Sequence, residues 1–292
     1  MRWEGRRESQ NVEDRRSMST GGKVLAGGSL LGVVILVVVN LLFGNGDPVN
    51  IQLPQPAQQQ SSRPLSASEQ AADDQRASFV KVVLADTEDV WSKLFAKSGQ
   101  RYPAPTLVLF RDRVQSACGN ASAASGPFYC PADQKLYIDL SFYEELQTRF
   151  KAPGEFSMAY VVAHEVGHHI QQLMGTSEKV QRLRGRVSEA EYNKYSVRME
   201  LQADFYAGVW ANHAQQITTA DGKSIIEAED INAALTAANA IGDDRLQRES
   251  QGYVVPESFT HGTSAQRMYW FRKGFVTGDL SQGDTFNATT LE

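Results

Sequence analysis

The feature that most constrains this 292-residue chain is a run of twenty residues, 24–43, without a single charged side chain. Its length matches the roughly 20 residues that a helix needs to cross a bilayer. Arg2, Arg6, Arg7, Arg15, Arg16 and Lys23 precede it, and the next basic residue is Arg63. The positive-inside rule therefore predicts one transmembrane helix, with residues 1–23 as a cytoplasmic tail and the bulk of the chain outside. The run is longer than the ~7–15 residues of a signal-peptide core and no A-x-A site follows it, so an uncleaved anchor is expected. The lipid bilayer is then a partner. The localisation implied is a single-pass inner-membrane protein with its large domain on the extracytoplasmic side.

Residues 44–72 are rich in Gln, Pro and Ser. Such a stretch cannot bury enough apolar area to fold alone and reads as a linker. Residues 73–292 are long enough for one sizeable domain. Phe79, Val82, Val83, Val90, Trp91, Leu94 and Phe95 recur at helical spacing. Strands are expected at 106–110 and 136–140, from their β-branched and aromatic content. Helical patterns follow at about 155–174, 188–214, 229–241 and 264–275. Strands before helices give an α+β fold, mostly helical with a small sheet, behind one transmembrane helix. A net charge of −5 gives no reason to expect a nucleic-acid partner. Cys118 and Cys130 fall on the expected outer side, where a disulfide is favoured over two free thiols. Such a bridge would add about 3 kcal/mol in the chain-entropy model.

The chemistry concentrates in AHEVGHHIQ. His164 and His168 lie four apart and share one helix face, so both can ligate one metal ion. Glu165 is rotated by about 100° and can reach a water at that ion as general base. A chance match is expected in on the order of one in a hundred chains of this composition. Two core histidines are the structural alternative. Catalytic zinc sites take three protein ligands and leave a fourth position open. Glu200, in RMELQADFYAGVW, is the expected third ligand. Asp204, four residues on, is expected to accept the outer N–H of a ligating histidine, His164 in particular. Ala203, Ala207 and Gly208, with Gly167 opposite, would let the two helices approach closely. His169 reads as a member of a polar network and His213 as structural. His261, before a helix capped by Thr263 or Ser264, is a candidate oxyanion donor as well as an ordinary loop histidine. The 136–140 strand is a candidate edge for aligning an extended peptide.

These residues resemble a bacterial family of neutral zinc metallopeptidases. The likeness extends to MRWEGRRESQNVEDRR at the start, to the single apolar segment and to THGTSAQR near the end. It implies a zincin-like peptidase domain holding one Zn2+ per chain, with His164, His168 and Glu200 as ligands and Glu165 as catalytic acid/base. The expected function is zinc-dependent hydrolysis of peptide bonds in a protein or peptide substrate. The alternative is an inactive membrane-anchored binding or adaptor module with a structural or vestigial metal site. Structural zinc sites are usually closed by four Cys/His ligands, which argues against that alternative.

Overall fold

The computed structural model describes residues 1–17 and 65–292. Strands β1 (Val12–Asp14), β2 (Thr106–Phe110), β6 (Lys135–Asp139) and β5 (Phe128–Cys130) form one sheet in the order β1-β2-β6-β5. β1–β2 and β2–β6 are parallel, and β5–β6 is antiparallel. A separate hairpin, β3 (Arg113–Ser116) and β4 (Gly119–Ser122), follows β2. The Cys118–Cys130 disulfide ties that hairpin to β5. Before the sheet's inner strands comes α1 (Ala67–Lys97). After them come α2 (Phe142–Thr148), α3 (Glu155–Leu173), α4 (Thr176–Gln181), α5 (Glu189–Ala214), α6 (Ala228–Ala240), α7 (Asp243–Gln251) and α8 (Ser264–Thr277).

The helical spacing read from the sequence places α3, α5, α6 and α8 within a few residues of where they run, while α1 begins at Ala67, six residues inside the stretch read as linker, the rest of which up to residue 64 lies outside the described set. Strands β2 and β6 also fall where the β-rich runs lie. The short strands and α2, α4 and α7 are additions. Their few residues carry too weak a period to separate them from loops. Helix α3 is buried nearly all round, with Phe156, Tyr160, Val162, Val166 and Ile170 in the core. It packs on α5, and α5 packs on α8. A Cβ on Gly167 would stand 2.9 Å from the Ala203 carbonyl oxygen, so α3 and α5 touch backbone to backbone there, as expected. Gly208 does something else. Its Cβ would stand 2.0 Å from the Phe271 oxygen, and one on Gly274 would stand 2.1 Å from the Phe205 oxygen. The pair sets the α5–α8 crossing rather than the approach to α3.

One expectation is corrected. Among the described residues no helix is long and apolar enough to cross a membrane, and residues 24–43 lie outside the described set. The N-terminal residues explain why a single-pass inner-membrane arrangement fails. The described residues 1–17 and 71–292 belong to one compact unit. β1 pairs with β2 residue for residue, from Val12↔Leu107 to Asp14↔Leu109. Trp3 is 8% exposed, meets Phe79 edge-on and donates from Nε1 to Glu155 at 2.8 Å. Arg6 makes a two-pronged bond to buried Asp86 at 2.7 and 2.5 Å. Arg16 pairs with Asp73, which Arg111 also holds at 2.5 Å. A chain that crossed once between the tail and the domain would put them on opposite faces of the bilayer, where these contacts could not form. The cluster of arginines is therefore structural. It does not record a topology.

Candidate metal centre

Helix α3 presents His164, Glu165 and His168 to a cleft of about 680 Å³, and α5 presents Glu200 across from them. One ligand atom from each of His164, His168 and Glu200 lies within 4.8 Å of the others. The Nε2 of His164 stands 3.1 Å from Glu200 Oε2, and the Nε2 of His168 stands 3.4 Å from Oε1.

Both imidazoles are aimed by their far nitrogens. His164 Nδ1 is 2.8 Å from Asp204 Oδ1. The Asp204 carboxylate also accepts from Tyr160 at 2.5 Å and from Arg267 at 2.8 and 3.0 Å. Burial works to raise the Asp204 pKa, but Arg267 and His164 hold it below the ordinary value. An ionised carboxylate only accepts, so His164 Nδ1 carries the proton and Nε2 faces the cleft. His168 Nδ1 is 2.9 Å from Gln171 Oε1. The Gln171 amide is itself oriented, because its nitrogen donates to the Met199 carbonyl at 2.7 Å and to Gln202 at 3.2 Å. His168 Nε2 therefore also faces the cleft. Two imidazole nitrogens and a carboxylate, converging with one side open, match the donor set and count of a catalytic zinc site.

Charge also organises the centre. Burial opposes charging His164, yet Asp204 and Glu200 raise its pKa to about 10. Burial works to raise the Glu200 pKa, but His168 and His164 hold it well below the ordinary carboxylate value. Glu165, 7% exposed, moves the other way, because burial raises its pKa. The main chain of Tyr129, on β5, works against that rise, and Phe128 and Tyr129 line the cleft beside Glu165.

The remaining expected residues fall as follows. His261 lines the cleft, 51% exposed, with Nδ1 3.2 Å from Asp243. Asp243 also accepts from the main-chain N–H groups of Thr260, His261 and Gly262. Thr263 is the N-cap of α8. His169 is not in the ligand cluster. Its Nε2 reaches the Pro103 carbonyl at 2.7 Å and its Nδ1 meets Tyr129 Oη at 3.0 Å, which joins β5 to α3. His213 bonds the Gly278 carbonyl. The 136–140 strand is not an edge. β6 lies between β2 and β5, and the cleft-side edge is β5.

Sequence reasoning missed Arg267, Tyr160, Gln171 and Asp243. Arg267 lies 63 residues from Asp204, and Asp243 lies 18 residues from His261, in a different helix from the loop it holds. Gln171 had a usable signal, since it lies three residues after His168 on the same helix face.

The family model described as "Putative neutral zinc metallopeptidase" matches residues 1–286. The chain belongs to that family. The match includes the N-terminal residues that pack on the domain, as well as both helices of the metal centre. The zinc metallopeptidase family implies zinc, and the His164/His168/Glu200 cluster is the candidate site for it. The chain is 49% identical to the uncharacterized protein YpfJ of Escherichia coli strain K12, over 98% of this chain and 99% of that one. It is 42% identical to the uncharacterized protein Mb2605 of Mycobacterium bovis, over 78% of this chain and 77% of that protein. No solved structure matches it.

Proposed function

We propose that this protein hydrolyses peptide bonds, with zinc held by His164, His168 and Glu200 and with Glu165 as general base. The observation that carries the reading is the placement of Glu165 beside three converging ligands on the wall of an open cleft. When bound, zinc lowers the pKa of a water toward ~7 and polarises the substrate carbonyl. Glu165 takes the proton of the attacking water and delivers it to the leaving nitrogen. Asp204 and Gln171 keep the two imidazoles in the tautomer that offers Nε2. Asp243 raises the pKa of His261, so the imidazolium can donate from Nε2 to the developing oxyanion while Nδ1 stays on Asp243. The outer edge of β5 gives an extended substrate main-chain groups to pair with beside Glu165.

The test uses the full chain, assayed for metal content and for cleavage of casein with and without chelator. One zinc per chain, lost with Glu200→Ala and kept with Glu165→Gln, together with cleavage lost in both, supports the reading. Glu165→Gln is expected to lower the rate by roughly 10³-fold. A well-folded chain that takes up no stoichiometric metal, or cleavage that survives both chelation and Glu165→Gln, overturns it.

A further inference from the structure

The wall of the cleft is not uniform in charge. Beyond the C-terminal end of α3, the lining comes from α4, the turn after it and the start of α5. Ser177, Gln181, Arg184, Tyr192 and Ser196 there are able to hydrogen bond, with Val180 and Met199 lining the wall beside them. Arg184 is exposed, and no ion pair to it occurs among the described residues. Its neighbours strengthen its field. Lys179, Arg182, Arg184 and Arg186 fall within eight residues, against Glu178 alone, in a chain whose net charge is −5. Arg182 is engaged by Glu178 one turn earlier. The turn is also ordered. Leu183, Arg184 and Arg186 donate main-chain N–H bonds to Val180, Gln181 and Leu183, and Gly185 takes a φ of 73°. A positive φ of this kind is costly for residues with a Cβ, so the turn that carries Arg184 has a defined shape.

Position gives this patch a direction. Val161 lines the cleft one helical turn before His164, and Phe142 and Phe150, packed at 5.9 Å, line it too. Those groups are apolar, and the arginine beside them, Arg149, is paired with Glu145 at 3.6 Å, whereas Arg184 lines the cleft with no ion pair among the described residues. A guanidinium recognises a carboxylate in a planar, two-pronged geometry, and it does so best where no acid already occupies it.

We infer that Arg184 forms a subsite for a carboxylate of the bound peptide, so that the substrate carries an acidic group on the α4 side of the scissile bond. This deepens the peptidase reading and rests on it. Two sources supply the same chemistry, an Asp or Glu side chain or the C-terminal carboxylate of a short peptide.

The experiment measures binding and cleavage separately with the zinc-loaded full chain. Fluorescein-labelled decapeptides differing only in Glu or Gln at one position, each with a free or an amidated C-terminus, are titrated into Glu165→Gln protein and followed by anisotropy. The same peptides are offered to protein with an intact Glu165 for cleavage. The carboxylate-bearing peptide is expected to bind about tenfold more tightly. That preference should vanish in Arg184→Gln, reverse toward a Lys-containing peptide in Arg184→Glu, and weaken with salt. Dependence on Glu alone assigns the side chain, and dependence on the free C-terminus alone assigns the terminus. Equal binding of all peptides, or a preference that Arg184→Gln leaves intact, overturns the inference even where cleavage proceeds. Binding through Arg184 of anionic phospholipid vesicles or single-stranded DNA, but not of acidic peptides, overturns it as well. Arg184-dependent binding without cleavage by protein retaining Glu165 supports the subsite and counts against the peptidase reading instead.

Discussion

The N-terminal strap and the metal centre are held by the same kinds of bond, yet they differ in how far those bonds reach along the chain. In the centre, His164 and His168 are four residues apart, Gln171 is three from His168, and Glu200 and Asp204 share a face of one helix. In the strap, Arg6 reaches Asp86, Trp3 reaches Glu155 and Arg16 reaches Asp73. Helical geometry makes the first set visible in a sequence, because residues three and four apart are neighbours on any helix. Nothing local announces the second set. A row of arginines beside an apolar run looks like a topology signal until its partners are known.

The strap is therefore expected to matter to stability, and the centre to metal. Trp3→Ala tests this with the largest effect. It removes a buried indole packed on Phe79 and a hydrogen bond to the first turn of α3, and should cost about 3–5 kcal/mol in denaturant unfolding. Zinc affinity of the folded protein should change little. A tenfold loss of zinc affinity in folded Trp3→Ala protein would show that the strap sets the ligand geometry through α3 and would erase the distinction.

Gly208→Ala probes the packing beneath the centre. Its Cβ would lie 2.0 Å from the Phe271 oxygen and 2.7 Å from the Phe275 nitrogen, backbone atoms that move only if α8 moves. The expected cost is about 3 kcal/mol, at the upper end for overpacked sites. Because α8 carries Arg267, the same change should loosen Asp204. A thermal melt at the unsubstituted midpoint would mean that the α5–α8 crossing adjusts freely.

How much of this was legible follows the same rule of reach. The HExxH helix, Glu200, the long helices and two inner strands could be read because each rests on spacing within one segment, whereas the Cys118–Cys130 bridge is present although the outer-side placement it was argued from does not hold. β5 could not. Its three residues, Phe128 to Cys130, carry no period, and only the sheet order shows that it and not β6 is the edge facing Glu165. Arg267 could not be read either. It lies 63 residues from Asp204, and in its own segment it looks like any helix-surface arginine. The membrane topology failed for the converse reason. The rule counts charges on each side of an apolar run, and here Arg2, Arg6, Arg7 and Arg16 are committed to carboxylates of the folded domain.

Asp204→Asn should have a smaller effect than the strap and packing variants, and one of a different kind. It leaves a side chain of the same size but removes the charge that Arg267, Tyr160 and His164 share. Zinc affinity is expected to fall 10–100-fold, the range for groups that orient metal ligands. Unchanged affinity would mean that the His164 tautomer is fixed by the metal alone. It would also move Asp204 from the centre to the general scaffold, alongside Asp86.

The smallest effect is expected at Asp243, and it separates positioning from packing within the cleft itself. The hydrogen bond that His261 donates to Asp243 is the largest influence raising the His261 pKa above the ordinary 6.5, with Glu200 adding to it. Burial works to raise the Asp243 pKa, but bonds from His261 and the neighbouring main chain hold it below the ordinary 3.8. The His261 contribution to stability is complete below pH 6.5 and is lost as pH climbs through the raised value. The Asp243 contribution is complete above pH 3.8 and is lost as pH falls through the lowered value. The pair is whole between those two ordinary values, so Asp243→Asn should cost most near pH 5, on the order of 1 kcal/mol because the His261 side chain is half-exposed. NMR titration of the His261 ring should show its pKa falling toward 6.5 in Asp243→Asn. Should peptide cleavage be established, kcat should fall with little change in KM, because the imidazole is present but no longer held. A His261 titration unmoved by the substitution would break the link from Asp243 to the cleft, and the loop would then join the strap as scaffold.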